Sequence, residues 1–560
     1  MGLQILSGLF LIILASTYQP AIAATTNLKT VVSCTSDQCP TIPPLLSSNE
    51  KFNDQAIIYQ TSQQPEFMMR YAQSFSKVNN NGWQKIIINE SAFANTHPII
   101  GFGGAFTDSA AIVYQNTSPT LKKALIDAYF SSQGIEYSLG RVPMASSDFS
   151  CRSYVREEGK DIPTPSLSAC SNLLSPYTYA DKPDYTLSTF ALQTEDIYFK
   201  IPMIQAAINA AQANHQDSIK LFASPWSAPT WMKSNGSMIH GSLNPQYQSV
   251  WANYFIKFLR AYQTYHITFW GLTVQNEPVN GALLGLKDLQ SWQTMYSTEE
   301  EEATFIKDHL GPALKNFETE YGSKIHLMIH DDQVTVINKR VSMLNSPDVA
   351  QYISGAGLHW YINFSPLHVN LDKAYQTLNS ATPSTSRFIL GTEACTGSLP
   401  TPNGPSLGNW SRGESYAHDI ISDLNHHVSG WTDWNLVLDK QGGPNWAKNY
   451  VDAPIIVDLQ TQTLYKQPMY YFLGHFSKFI RPGSRLLASQ STGPAPLEEV
   501  TFKVPAHGDL PETIVVVVLN QDITGRNYYL MDYSKGESKF LNMRIPAHAI
   551  QTIIYKSQIG

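Results

Sequence analysis

The feature that most constrains this chain is a repeated alternation running from Gly101 to Leu438. Short apolar, β-rich runs are each followed by a longer stretch with helical periodicity. Eight such runs stand out, at 99–104, 137–143, 219–226, 269–274, 324–330, 355–360, 387–392 and 430–436. Helical stretches such as 196–213, 247–265 and 298–321 lie between them. Eight strand–helix units over a single stretch of this length predict an α/β fold, a (β/α)8 TIM barrel. The polar and aromatic residues fall where such a barrel needs them. Nearly every run ends in one: Thr107-Asp108, Arg141, Trp226, Asn276-Glu277, Asp331-Asp332, His359-Trp360-Tyr361, Glu393 and Asp433-Trp434-Asn435. Barrel enzymes assemble their sites from the C-terminal strand ends.

The flanks read differently. Beyond Val451 the strands are short and helices few, and residues 29–98 are also strand-rich. The expected organisation is a signal peptide over 1–23, the first part of a β-sandwich over 24–98, the catalytic barrel over 99–450, and the rest of the sandwich over 451–560. Within that last segment, about 465–480 reads as a final barrel helix ended by Pro482-Gly483. The signal peptide rests on an uncharged start, an apolar run over 3–15 too short to span a bilayer, and Ala21-Ile22-Ala23 as a small-x-small cleavage site. A secretory route permits disulfides, and the short spacings pair Cys34 with Cys39 and Cys151 with Cys170, leaving Cys395 free. It also makes the sequons at Asn89, Asn116, Asn235 and Asn409 glycosylation candidates. The one at Asn363 is a poor acceptor because Pro366 follows it. The net charge of −7 and the absence of a basic stripe argue against a nucleic-acid partner. No phosphate-cradling glycine loop is present. Neither cysteine pair has histidines at zinc spacing, so no metal and no cofactor are expected.

Two carboxylates carry the chemistry. In Leu272-Thr273-Val274-Gln275-Asn276-Glu277-Pro278, an apolar strand delivers Glu277 to the barrel mouth and Pro278 ends it. In Phe388-Ile389-Leu390-Gly391-Thr392-Glu393, another strand does the same for Glu393. As the fourth and seventh strands these lie across the mouth from each other. That placement suits the roughly 5–5.5 Å separation of a retaining glycosidase, with Glu277 as acid/base and Glu393 as nucleophile. Around them Asp108, Asn276 and Asn449 are candidates to grip sugar hydroxyls. Trp226, Tyr361 and Trp434 are candidate walls, Arg141 a candidate to orient a carboxylate, and His359 a candidate neighbour of the nucleophile. The acidic run Glu300–Glu302 reads as a solvated helix start. The segment Arg152–Tyr177 reads as an inserted loop pinned by its own cysteine pair.

Longer motifs extend the picture. They include Gly101-Phe102-Gly103-Gly104-Ala105-Phe106-Thr107-Asp108, Arg141-Val142-Pro143-Met144-Ala145-Ser146 and Ala223-Ser224-Pro225-Trp226. Further on come Asn276-Glu277-Pro278, His359-Trp360-Tyr361, Thr392-Glu393-Ala394-Cys395, Gly430-Trp431-Thr432-Asp433-Trp434-Asn435 and Gly443-Pro444-Asn445-Trp446. With these the chain resembles glycoside hydrolase family 30, in its glucosylceramide-cleaving branch, over almost its whole length. The resemblance implies hydrolysis of the β-glucosyl bond of glucosylceramide at acidic pH and the same two glutamate roles. It also implies sugar contacts from Asp108, Trp226, Asn276, Trp434 and Asn449, a saposin-like activator, and action at an anionic lipid surface in the lysosome without a transmembrane segment. Related substrates of the family, another β-glucoside, a β-xyloside or a glucan, are the alternatives, with an inactive sugar-binding or trafficking barrel behind them. The chain departs from the family pattern in lacking a further N-terminal cysteine pair, in the 152–177 insertion, and in Val334 where the family has Arg.

Overall fold

The computed structural model describes residues 28–558 except 37, 46–51, 53–54, 65, 79–83, 95, 153, 156–163, 166–175, 214–217, 281–291, 399–403, 494–496 and 537–538. The expected signal peptide and Cys170 lie outside the described residues, as does most of the 152–177 insertion. Eight parallel strands form the barrel: β1 Gly101–Ala105, β2 Leu139–Met144, β3 Lys220–Pro225, β4 Gly271–Thr273, β5 His326–Gln333, β6 Ile353–His359, β7 Phe388–Glu393 and β8 Gly430–Asn435. They pair in chain order from β1 to β7, and β8 lies beside β1. The ring closes where Ile389 of β7 bridges Val428 and Ser429 N–H donates to Ile389 O at 2.8 Å.

Local sequence explains why these runs are strands. β2, β6, β7 and β8 are buried along their whole length, so each is a continuous apolar run rather than an alternating one. The glycines of β1 allow close packing: a Cβ on Gly103 would meet Leu139 O at 2.1 Å. The helix at Glu299–Phe305 starts from a reciprocal cap, Thr298 side chain to Glu301 N–H and Glu301 side chain to Thr298 N–H. The run read as a solvated acidic face is not uniform. Glu302 turns inward and pairs with buried Arg340 at 2.7 Å.

The chain ends build the accessory domain. Its nine strands run Phe540–Ile545, Arg526–Asp532, Gln84–Phe93, Arg485–Thr492, Glu498–Val504, Thr513–Asn520, Ala549–Lys556, Gln55–Ser62 and Glu66–Ser74 in spatial order. Arg485–Thr492 pairs with Glu498–Val504 through its first two residues and then with Gln84–Phe93. That switch folds the strands into a sandwich-like pair of layers over a core that includes Ile58, Ile86, Val516, Tyr528 and Leu541.

Ile455–Asp458, expected in the sandwich, belongs to a separate four-stranded sheet with Leu438–Asp439, Thr463–Lys466 and Val32–Cys34. Its nearest partners in the chain are the residues just after β8 and the hairpin strand that follows it, so local pairing decides its place. The last helix is also shorter than expected, Pro468–Ser477, because Tyr465 and Lys466 are in that hairpin. Pro468 supplies the fixed φ that suits a first helical turn.

Cys34 and Cys39 form a disulfide, and Cys395 is free and buried. Cys151 is disulfide-bonded, with its expected partner Cys170 outside the described residues. The sequon residues Asn89 and Asn235 are exposed, whereas Asn116 and Asn409 are half-buried.

Candidate active site

Arg141, on β2, is fully buried and organises the floor of the barrel mouth. Its guanidinium donates to Glu393 Oε2, to Asn276 Oδ1 at 2.8 Å and to Asp331 Oδ2 at 2.9 Å. A buried cation of this kind is stable only when its donors are matched by acceptors. Burial pulls the guanidinium pKa down, but Asp331 and Glu393 outweigh it and the net shift is upward.

Asp331 is the hub of the network. It accepts from Arg141, from Thr392 Oγ1 at 2.6 Å and from Thr273 Oγ1 at 2.7 Å. Burial alone raises its carboxyl pKa, but Arg141 and His359 hold it well below the usual carboxylate range. His359, at the end of β6, stands between acids. Its Nε2 lies 3.1 Å from Asp331 Oδ1 and its Nδ1 3.2 Å from Glu277 Oε1. With an acceptor at each nitrogen, both nitrogens act as donors and the ring is an imidazolium. Burial opposes that charge, yet Glu393, Asp331 and Glu277 together push its pKa up to about 10.

The two glutamates meet in this setting. Carboxylate oxygens of Glu277 and Glu393 and a nitrogen of His359 all lie within 4.8 Å of one another. Glu393 accepts from Arg141 and from Tyr361 Oη at 2.8 Å. Glu277 accepts from His359, from Asn280 Nδ2 at 2.6 Å and from Gln333 Nε2 at 3.3 Å. The backbone is strained where these groups are aimed: Glu277, His330 and Asp331 have φ of 44°, 76° and 51°. Non-glycine residues in this region cost about 1–3 kcal/mol each and persist only where the surroundings fix them. A bulge between His330 and Asp332 in the pairing of β5 with β6 accompanies the turn.

Trp226 and Trp434 stack with centroids 5.2 Å apart and planes 20° apart. The Arg141 guanidinium lies 5.0 Å and 5.5 Å from their ring centres. Trp226 and Trp434 thus lie against Arg141, and Tyr361 against Glu393.

Asp108 follows the C-terminal end of β1. It is ion-paired to buried Lys200 at 3.1 Å and accepts from Ser150 Oγ and Tyr177 Oη. Both hydrogen bonds fall on Oδ2, and Oδ1, beside Lys200, makes none among the described residues, so the carboxylate keeps acceptor capacity. Asp148, a residue not singled out from the sequence, lies near enough to Glu393 to feel its charge. It accepts from Asn449 Nδ2 at 2.9 Å and Asn445 Nδ2 at 3.4 Å. Burial raises its pKa to about 7, the Asn449 bond opposes that rise, and the charge of Glu393 adds to it. The available signal was its position: Asp148 follows the C-terminal end of β2 by four residues, on the side where barrel sites form. Asn280 and Gln333 were legible in the same way, as neighbours of Glu277 and of the Asp331-Asp332 pair.

Glu277, His359 and Glu393 have ligand-type atoms close enough for a metal, but the cationic role among them is already filled by Arg141 and the imidazolium. A second group, His368, Asp419 and Asp423, has its ligand-type atoms within the same 4.8 Å limit. There the Asn363 amide donates to both aspartates, at 3.0 and 2.7 Å.

Comparison with known proteins agrees with this geometry. The pattern described as the glycosyl hydrolase family 30 TIM-barrel domain matches residues 99–163 and 160–480. The lysosomal acid glucosylceramidase of Mus musculus is 40% identical over 469 residues, 82% of this chain and 81% of its own length. A putative glucosylceramidase 3 of Caenorhabditis elegans is 38% identical over 95% of this chain and 93% of its own. Among solved structures, SrfJ from Salmonella typhimurium superposes with a TM-score of 0.75 at 27% identity, covering 90% of this chain and all of that one.

Proposed function

The chain belongs to glycosyl hydrolase family 30, and on that premise we propose that it is a retaining β-glucosidase that cleaves glucosylceramide into glucose and ceramide. The observation that carries the reading is the approach of Glu277 and Glu393 to within 4.8 Å. That is close to the roughly 5–5.5 Å of a retaining pair and too short to seat the water an inverting pair activates.

Glu393 is the nucleophile. Arg141 and Tyr361 hold its carboxylate by donated hydrogen bonds and leave it aimed across the mouth. It attacks the anomeric carbon while the bond to the ceramide oxygen breaks, and Glu277 gives that oxygen its proton. A water then attacks the glycosyl-enzyme, Glu277 takes the proton from it, and the Glu393 carboxylate is released. Asn280 suits both forms of Glu277. Its amide offers Nδ2 to an ionised Oε2 and, turned over, Oδ1 to a protonated one. Asp108, Asn276 and Asn449 grip sugar hydroxyls with Asp148 beside them, and Trp226, Trp434 and Tyr361 form the walls.

The mouse relative's name supports glucosylceramide as substrate and the lysosome as the site of action. Burial holds Asp148, Asp332 and Asp419 at a pKa of about 7, with Glu277 adding to the shift at Asp332, a pattern that favours an acidic compartment. No helix among the described residues is long and apolar enough to cross a membrane. Phe364 and Val369 are exposed on the segment after β6 and add apolar surface on the mouth side, which supports contact with an anionic lipid surface and a saposin-like activator.

A substrate panel tests the reading. Glucosylceramide in anionic vesicles is expected to be turned over with a kcat/KM at least tenfold above that for a β-xyloside or a β-1,6-glucan. A clear preference for either of the latter would replace this substrate assignment and leave the family unchanged.

A further inference from the structure

The opposite end of the barrel holds a cavity of about 280 Å³. It is built from the starts of the strands, far from the glutamates at their C-terminal ends. Lys220 opens β3, Lys324 and His326 lead into β5, Ser354 lies at the start of β6, and His97 precedes β1. Trp270 and Phe388 form apolar walls. No Asp or Glu lines the cavity.

Three observations point to a missing anion. Two lysines and two imidazoles converge on one space, where the ammonium groups disfavour protonation of the imidazoles. His326 registers it: burial first, then Lys324, His97 and Lys220, push its pKa down to about 4. Ser354 is 5% exposed, and its Oγ has no hydrogen-bond partner among the described residues. Buried hydroxyls normally have one. The two imidazoles are held in place, His326 stacked on Trp270 at 4.6 Å and His97 against Phe388 at 5.5 Å, with His97 Nδ1 engaged by Pro98 O at 2.7 Å.

Arg387 shows what a structural cation at this end looks like. It is fully buried, and its guanidinium donates to the carbonyls of Ile353, Leu378 and Ala350. Lys220 donates one bond to Ile100 O at 3.1 Å; it, His97 and His326 are half-buried, Lys324 is exposed, and all four line the open volume.

We propose that this cavity is a binding site for a small phosphomonoester. Its phosphoryl oxygens would sit among Lys220, Lys324, His97 and His326 and accept from Ser354 Oγ. The volume equals about nine waters at roughly 30 Å³ each, far more than a phosphoryl group fills. The remainder, walled by Trp270 and Phe388, takes the organic body.

Calorimetric titration of the full chain with glycerol 3-phosphate at low salt tests the proposal, run alongside inorganic phosphate and phosphatidic acid vesicles. Saturable one-site binding is expected, at least fivefold tighter than inorganic phosphate and unchanged when the active site is blocked by a covalent fluoroglucoside. Lys324→Gln, at an exposed position, should weaken it at least threefold, and Lys220→Gln with Lys324→Gln at least tenfold, with glucoside hydrolysis at the wild-type rate. The Lys324 variant keeps the test decisive if the double variant folds poorly. No heat with glycerol 3-phosphate, binding lost on blocking the active site, binding insensitive to Lys324→Gln, or binding to the vesicles alone would each overturn it.

Discussion

Two buried charge networks sit side by side in this barrel, and they differ in how completely they close. In the first, Lys200 pairs with Asp108 at 3.1 Å and Asp196 at 3.0 Å, and Asp196 also accepts from Tyr179 Oη and Tyr262 Oη. All of these groups are buried, and one cation there serves two carboxylates. In the second, Arg141 and His359 hold Asp331, Glu277 and Glu393. Two cations face three carboxylates there, the backbone is strained at Glu277 and Asp331, and the glutamates remain partly open. The closed network adds stability and specificity to the packing of the helix after β2. The open one keeps acids poised for a partner that arrives later.

Substitutions within each network should separate these roles. The largest effect falls on the open one. Glu393→Gln is expected to lower kcat by at least about 10³-fold with little change in Tm, and Glu277→Gln by about 10²–10⁴-fold on substrates with poor leaving groups but far less on activated aryl glucosides. If aryl and lipid substrates slowed equally in Glu277→Gln, proton delivery by this residue would be wrong.

Next comes the contrast between the two aspartates. Asp148→Ala should reduce kcat/KM about 10²-fold by removing a grip on the sugar. Asp108→Ala should lower kcat/KM similarly and also destabilise the fold by about 3 kcal/mol, as breaking a buried pair does. A folded Asp108→Ala enzyme with wild-type kcat/KM would remove Asp108 from the sugar site.

The smallest effect is on pH dependence. Asp148, Asp332 and Asp419 have folded pKa values raised to about 7 by burial. A carboxyl whose pKa is raised on folding stabilises fully below its unfolded value and loses that contribution as pH rises through the folded one. Tm should therefore fall between pH 4.5 and pH 7.5, and Asp419→Asn should flatten the fall. A Tm that rises over this range would show that buried histidines with depressed pKa values, such as His330 and His475, dominate.

Much of this was legible in the chain. The eight barrel strands were readable because each is a buried run ending in a polar residue, and Glu277 and Glu393 because each ends such a run. Arg141, His359, Tyr361 and the two tryptophans lie where strand ends place them. What the sequence hid were pairings between distant segments. Asp108 and Asp148 both follow barrel strands, and the pairing of Asp108 with Lys200, 92 residues further along the chain, has no local signal. Ile455–Asp458 resembles a sandwich strand in composition, but its register with Leu438–Asp439 is a tertiary choice. The inward turn of Glu302 depends on Arg340 in the same way.

The central claim is that Glu393 forms a covalent bond to the sugar. Incubating the active enzyme with a 2-deoxy-2-fluoro-β-glucoside bearing a good leaving group, followed by peptide mass spectrometry, tests it directly. The account predicts one label per chain, on the peptide carrying Glu393, with activity lost in step. A label on another carboxylate, or an active enzyme that turns the reagent over without ever accumulating a label, would contradict it.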